Sequence, residues 1–194
     1  WDNYQNVVKA GLDYVILTTP PAFRQFGLKA AVDAGIHVFM EKPVGTDAPS
    51  IRSIMESADK ATQKKLNIVA GTQRRHDPAY RECIKRIKDG QMGDLVALYA
   101  YWNQGGLWSV KREDVKSDME WQLRNWLYFT WIGGDHIVEQ HIHNQDVCHW
   151  AMGTHPVKAV SLAGRQCRVD PLYGHIFDHF ATEYEYENGV RLLS

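Results

Sequence analysis

The stretch His37-Val-Phe-Met-Glu41-Lys42-Pro43-Val-Gly45-Thr-Asp47 decides the fold. Ile36 to Met40 is a short apolar run that stops at a charged pair, a proline and a glycine. It reads as a buried strand, and Glu41-Lys42-Pro43 marks where that strand leaves its sheet. Pro43 has no N–H to give a ladder, so pairing should stop there. It also biases Lys42 towards extended backbone. Ligands of open parallel α/β sheets bind in the crevice at the carboxyl ends of the strands. A lysine in this position is held on a rigid element and aimed into the crevice. A surface salt bridge is the plainer fate of a Glu-Lys pair.

The flanking segments repeat the pattern. Residues 2–10 read as the last turns of a helix, with Gly11 as its stop. Asp13 to Thr18 is apolar and β-branched, bounded by Gly11 and Pro20-Pro21, and is expected as a fully buried strand. Ala22 to Ala34 is expected to be helical, ended by Gly35. Asp47 caps a further helix running to about Lys65, with Pro49 in its first turn and a stripe of Ile51, Ile54, Met55 and Ala58. Asn67 to Ala70 is a third strand. Strands and helices alternating at this spacing predict parallel βαβ units with right-handed crossovers. Three strand ends then share one rim: Thr18-Thr19-Pro20, Glu41-Lys42-Pro43 and Gly71-Thr72-Gln73.

Beyond this the period changes. Asp77-Pro78 opens a helix to Gly90, and Leu95 to Trp102 alternates like a strand. Residues 103–132 are rich in Trp and polar groups with weak periodicity, which predicts a long functional loop with short helical turns. Gly133-Gly134 opens a helix from about Asp135 to Met152. Val157 to Leu162, Phe180 to Glu187 and Val190 to Leu193 read as strands, with Asn188-Gly189 as a hairpin turn. The expected class is α/β: the C-terminal part of a parallel Rossmann sheet, then an α+β part with a mostly antiparallel open sheet. The expected division is residues 1–75, a connecting helix over 76–92, and residues 93–194.

Composition narrows the function. A formal net charge of -1 offers no basic field for nucleic acid or anionic membrane. No apolar run approaches the length of a membrane span. Cys83, Cys148 and Cys167 are far apart and form no zinc ribbon or disulfide framework. The chain lacks an initiator Met and ends on what looks like a strand just begun, so it reads as an internal fragment. The cytoplasm is the default compartment, with export open to a segment upstream.

Three of the nine histidines fall in Asp135-His136-Ile-Val-Glu139-Gln140-His141-Ile-His143-Asn144-Gln145-Asp146. On an unbroken helix His136, Glu139, His143 and Asp146 share one face, and His141 and Asn144 point elsewhere. Such a face is either satisfied internally, a metal site, or acid/base machinery. A metal set is not completed by any separate ligand cluster, which ranks it below catalysis. A neutral histidine oriented by a carboxylate can take a proton from a hydroxyl near neutral pH.

Together these residues resemble the Gfo/Idh/MocA oxidoreductase family, which includes glucose-fructose oxidoreductase and inositol dehydrogenase. The resemblance rests on Val15-Ile-Leu-Thr-Thr-Pro20-Pro21, Glu41-Lys42-Pro43, Gly71-x-x-Arg74-Arg75-x-x-Pro78-x-Tyr80, Gly90-x-x-Gly93 and Gly133-Gly134 followed by Glu139, His143 and Asp146. It implies a Rossmann domain for NAD or NADP, and a second domain whose wide sheet makes homo-oligomer contacts. It implies hydride transfer between the nicotinamide and a sugar, polyol or related carbinol. Lys42, Glu139 and His143 correspond to the family's catalytic positions. Thr18, Thr19, Pro20, Glu41, Lys42 and Arg74 are the expected cofactor contacts. Asp146, His136 and Trp126 are the expected substrate contacts, and no metal is expected. The family usually has Asp where Glu139 stands, a small residue at His141 and often His at Arg24. The chain contains no G-x-G-x-x-G, so the pyrophosphate loop is expected upstream.

Other assignments compete. Some relatives use bound NAD transiently to hydrolyse a glycoside. A nucleotide-sensing regulator on the same fold would need no proton relay. A metal-dependent hydrolase would use His136, Glu139 and His143. Trp108, Trp121, Trp126 and Trp131 suit a sugar-stacking wall, and core packing suits two of them at least as well. Arg74 and Arg75 suit the cleft or a solvated surface pair.

Overall fold

The computed structural model describes residues 3–194. Trp1 and Asp2, read above into a running helix, lie outside the described residues. The first sheet holds β1 (Tyr14–Leu17), β2 (His37–Glu41) and β3 (Ile68–Gly71), in that spatial order and all parallel. Leu17 pairs with Met40, and Glu41 pairs with Gly71. The strand ends therefore align on one rim, as the βαβ spacing requires.

Helices α1 (Asn3–Val8), α2 (Pro21–Asp33) and α3 (Ala48–Gln63) accompany this sheet. Asp47 caps α3 by accepting from the Ser50 N–H, while Ser50 Oγ returns to the Asp47 N–H in a capping box. Leu28, Ala31 and Val32 of α2 and Ile54 and Ala61 of α3 pack on Val15, Val38 and Met40. Completely burying a leucine such as Leu28 contributes about 1.5–3 kcal/mol.

The expected burial of β1 on both faces is corrected here. Tyr14 and Ile16 are exposed, and Phe39 and Val69 lie open on the same face. Alternation puts Val15 and Val38 on the helix side and their neighbours on the other, which no described helix covers.

Helix α4 (Pro78–Lys88), capped by Asp77, leads to the second sheet. That sheet holds β4 (Ala97–Tyr99), β5 (Lys158–Gly164), β6 (His179–Glu185) and β7 (Arg191–Leu193) in the order β4-β7-β6-β5. β5 and β7 pair antiparallel to β6, whereas β4 and β7 run parallel. The Asn188-Gly189 turn joins β6 to β7, with Gly189 at φ +84°. The Trp-rich segment contains short helical pieces, including α5 (Asp118–Arg124) and α6 (Thr130–Gly133). Leu127, Tyr128, Phe129 and Ile132 close a core of their own with Ile176.

The helix expected over 135–152 is two helices, α7 (Asp135–Glu139) and α8 (Ile142–Met152). The N–H groups of Gln140 and His141 both donate to the His136 carbonyl, at 3.0 Å each. This widened turn inserts a residue into the ladder. It rotates α8 relative to α7, so His136, Glu139, His143 and Asp146 do not form the single face an unbroken helix would give.

Candidate active site

Lys42 follows the last residue of β2 and reaches across to the α7–α8 break. The break leaves the Glu139 carbonyl without a helical donor, because the His143 N–H bonds to the Gln140 carbonyl instead. The Lys42 ammonium donates to that free carbonyl, and to Glu139 Oε1 at 2.6 Å. One side chain thus satisfies an orphaned helix carbonyl and forms an ion pair. The two side chains are 17% and 12% exposed, so solvent screens this pair weakly.

His143 opens α8 and stacks on Trp102, with ring centroids 5.8 Å apart and planes at 24°. Its pKa is lowered to about 4, first by burial and then by the charges of Lys42 and Arg74, against an opposing pull from Asp146. The imidazole is therefore neutral across the physiological range.

Arg74 lies just beyond β3. Its guanidinium donates to the Asn144 side-chain oxygen and sits over the rings of Tyr80 and Trp102, 5.4 and 5.6 Å from their centroids. Asn144 in turn donates to the Tyr101 carbonyl at 2.7 Å. The expectation that Asn144 points elsewhere is overturned: the widened turn brings it to the rim. Arg75 forks onto Asp146, with Nε to Oδ2 at 2.9 Å and Nη2 to Oδ1 at 2.8 Å. Asp146 thus ties α8 to the first sheet.

Glu41 closes β2 against β3. A Cβ on Gly71 would lie 2.6 Å from Glu41 Oε2, so the backbone of β3 approaches this carboxylate more closely than a side chain permits. Thr18 and Thr19 are exposed at the end of β1, and Pro20 precedes α2. The Thr19 carbonyl accepts from Arg24 Nε at 2.8 Å.

Lys42, Glu139, His143 and Arg74 thus come together, with Asp146 held beside them. His136 does not join them. It stacks on His141 and Phe180, 6.2 Å from each, and lines a polar cavity of about 330 Å³ with Trp102, Gln104, Arg168 and Asp178. Burial first, and then nearby His141 and Arg168, lower its pKa to about 4. Trp126 packs against Trp108 at 5.5 Å, beside the Leu127–Ile132 core and away from His143. Among the described residues no group of three or more His, Cys, Asp or Glu side chains is placed to hold a metal ion. The sequence carries little signal that Trp102 and Asn144 belong to the site. Trp102 signals itself only as the aromatic end of an alternating run, and Asn144 depends on a turn that helical periodicity does not report.

A parallel sheet with a lysine at its carboxyl rim, paired across to a carboxylate and a neutral histidine on a second α/β unit, defines a Rossmann-type two-part architecture. Residues 1–70 match the model of the GFO_IDH_MocA oxidoreductase family, described as having an NAD-binding Rossmann fold. It is 33% identical over 87 residues to an inositol 2-dehydrogenase of Corynebacterium glutamicum, covering 45% of this chain and 25% of that protein. It is 24% identical over 192 residues to a scyllo-inositol 2-dehydrogenase (NAD(+)) of Bacillus subtilis, covering 97% of this chain and 49% of that protein. Its fold matches scyllo-inositol dehydrogenase from Lactobacillus casei, solved with NAD(H) and scyllo-inositol bound. The TM-score is 0.71 at 23% identity, over 98% of this chain and 53% of that one. The chain spans about half the length of these relatives, or less.

Proposed function

We propose that this chain carries the reacting residues of an NAD(P)-dependent oxidoreductase acting on a cyclic polyol or sugar. One observation supports this above the rest: Lys42, on the sheet rim, is bonded to Glu139 beside the neutral imidazole of His143. A proton acceptor, a cation for the developing alkoxide and a carboxylate to hold that cation are what oxidation of a carbinol requires.

The rim suits the nicotinamide–ribose end of a dinucleotide. The exposed hydroxyls of Thr18 and Thr19 and the ammonium of Lys42 are its polar groups, and Gly71 allows close backbone approach. The bound dinucleotide would supply the hydride acceptor. His143 takes the hydroxyl proton of the substrate at its unprotonated ring nitrogen. Lys42 donates a hydrogen bond to the same oxygen as negative charge grows on it. Glu139 keeps Lys42 aimed through its carbonyl and carboxylate. Trp102 excludes water from one face of His143, and Arg74 anchors Trp102 while offering cationic surface to substrate hydroxyls.

The names of the relatives direct the first substrates to inositols with NAD, and NADP should be compared in parallel. In the intact protein, Lys42→Met should abolish turnover while the dinucleotide still binds. Near-normal turnover in that variant removes Lys42 from the mechanism. The outer face of the second sheet, with Tyr99, Val160, Leu162 and Leu193 exposed, is proposed as a contact between copies of the protein. A monomer by sedimentation, unaffected by Leu162→Glu, would dismiss that contact. No helix among the described residues is long and apolar enough to cross a membrane.

A further inference from the structure

Arg24, in the first turns of α2, is 5% exposed and carries a charge that no carboxylate among the described residues hydrogen-bonds. Burying a guanidinium is costly unless its donors are used. They are used on three backbone carbonyls. Nε donates to Thr19 O at 2.8 Å, and Nη1 donates to both Glu41 O at 2.9 Å and Pro43 O at 2.5 Å. Glu41 and Pro43 are the two neighbours of Lys42. A single nitrogen therefore holds the carbonyl on each side of the lysine, and the same side chain reaches the end of β1.

We propose that Arg24 is the positioning residue for Lys42: its guanidinium fixes the backbone on both sides of the lysine and locks that segment to the Thr19 corner of the rim. The proposal rests on the catalytic role given to Lys42 above. The geometry explains why the position carries arginine. β2 ends at Glu41, so beyond it no ladder partner holds the Lys42–Pro43 backbone. Pro43 has no N–H with which to bond outward. A buried multi-donor that reaches several carbonyls at once stiffens this turn from beneath. The planar fork of arginine does so, and lysine, with a point charge on a flexible stem, does not reproduce it. With the turn held, Lys42 has only its own side-chain torsions to order on reaching the Glu139 carbonyl and carboxylate. The rim residue Thr19 is held in register with it, so groups contacting a dinucleotide and groups contacting the substrate share one brace.

The test uses the intact protein with three variants: Arg24→Lys, Arg24→Ala and Lys42→Met. A misplacement of a catalytic group by about 1 Å costs roughly 100-fold. Arg24→Lys should therefore lower kcat by about 10- to 100-fold, while the KM for the alcohol and the dinucleotide affinity stay within about threefold. Added guanidinium ion should restore part of the lost kcat in Arg24→Ala and none in Lys42→Met. The proposal is overturned if Arg24→Lys keeps kcat within about twofold of wild type. It is also overturned if both Arg24 variants fail to fold, or lose dinucleotide binding as much as turnover, because Arg24 would then be a general structural anchor. Lys42→Met separates the two levels. If it retains turnover, the proposed function fails. If it is dead while Arg24→Lys is fully active, only the role of Arg24 fails.

Discussion

The Lys42–Glu139 pair gives a quantitative test of how the two halves of the chain are held together. Lys42→Met removes the ammonium and leaves the Glu139 carboxylate 12% exposed with its ion-pair partner gone. Removing one member of a buried pair costs ~3–5 kcal/mol, because the survivor is an uncompensated buried charge. Both side chains keep some contact with water at the rim, which reduces the expected cost to about 2–3 kcal/mol. The Glu139 carbonyl also loses its donor, a contribution of about 1 kcal/mol within that total. Adding Glu139→Gln removes the orphaned charge, so the double variant should lie within about 1 kcal/mol of wild type. The coupling free energy should then be about 1.5 kcal/mol or more, opposite in sign to simple addition. Urea unfolding of the four proteins in the cycle, followed by tryptophan fluorescence, measures it. A coupling below about 0.5 kcal/mol would show that the two side chains act independently and refute the pairing.

The depressed pKa of His143 sets two pH expectations. Its base form persists down to about 4, so kcat/KM should show no acid limb near 6.5; an inflection there, lost in His143→Gln, would contradict it. The unfolded chain binds protons at His136 and His143 from about 6.5 downward, whereas the folded protein resists until about 4. Stability should therefore be full above that window and fall as pH drops through it, and a higher urea midpoint at pH 5 than at pH 7 would be the opposite result. Trp102→Ala removes the stack on His143 and the ring beneath Arg74, and should lower kcat/KM by about 5- to 10-fold. Unchanged kcat/KM would remove Trp102 from the site. Gly174 stands at φ +54°, with the Tyr128 carbonyl 2.1 Å from where a Cβ would go, whereas Gly90 at φ +76° has open space. Gly174→Ala should cost well over 2 kcal/mol and Gly90→Ala about 1 kcal/mol; equal melting shifts would show that the clash is relieved.

The amino-acid sequence by itself determined the repeated strand–helix units, their parallel order and the rim on which Lys42 sits. These follow from local physics: apolar runs of strand length, glycine and proline stops, and the aspartate cap at Asp47. The change of period after residue 94 likewise announced the second sheet and its Asn188-Gly189 hairpin. What only the tertiary structure decided lies at the break between α7 and α8. Helical periodicity places His136, Glu139, His143 and Asp146 on one face, because it assumes that every carbonyl finds its donor four residues on. One widened turn cancels that assumption. It frees the Glu139 carbonyl for Lys42, 97 residues away in the chain, turns Asn144 to Arg74 and leaves His136 in a cavity with His141 and Arg168. The role of Arg24 was hidden for the same reason. Its partners are backbone carbonyls, which every residue carries, and only the folded chain selects which of them it meets.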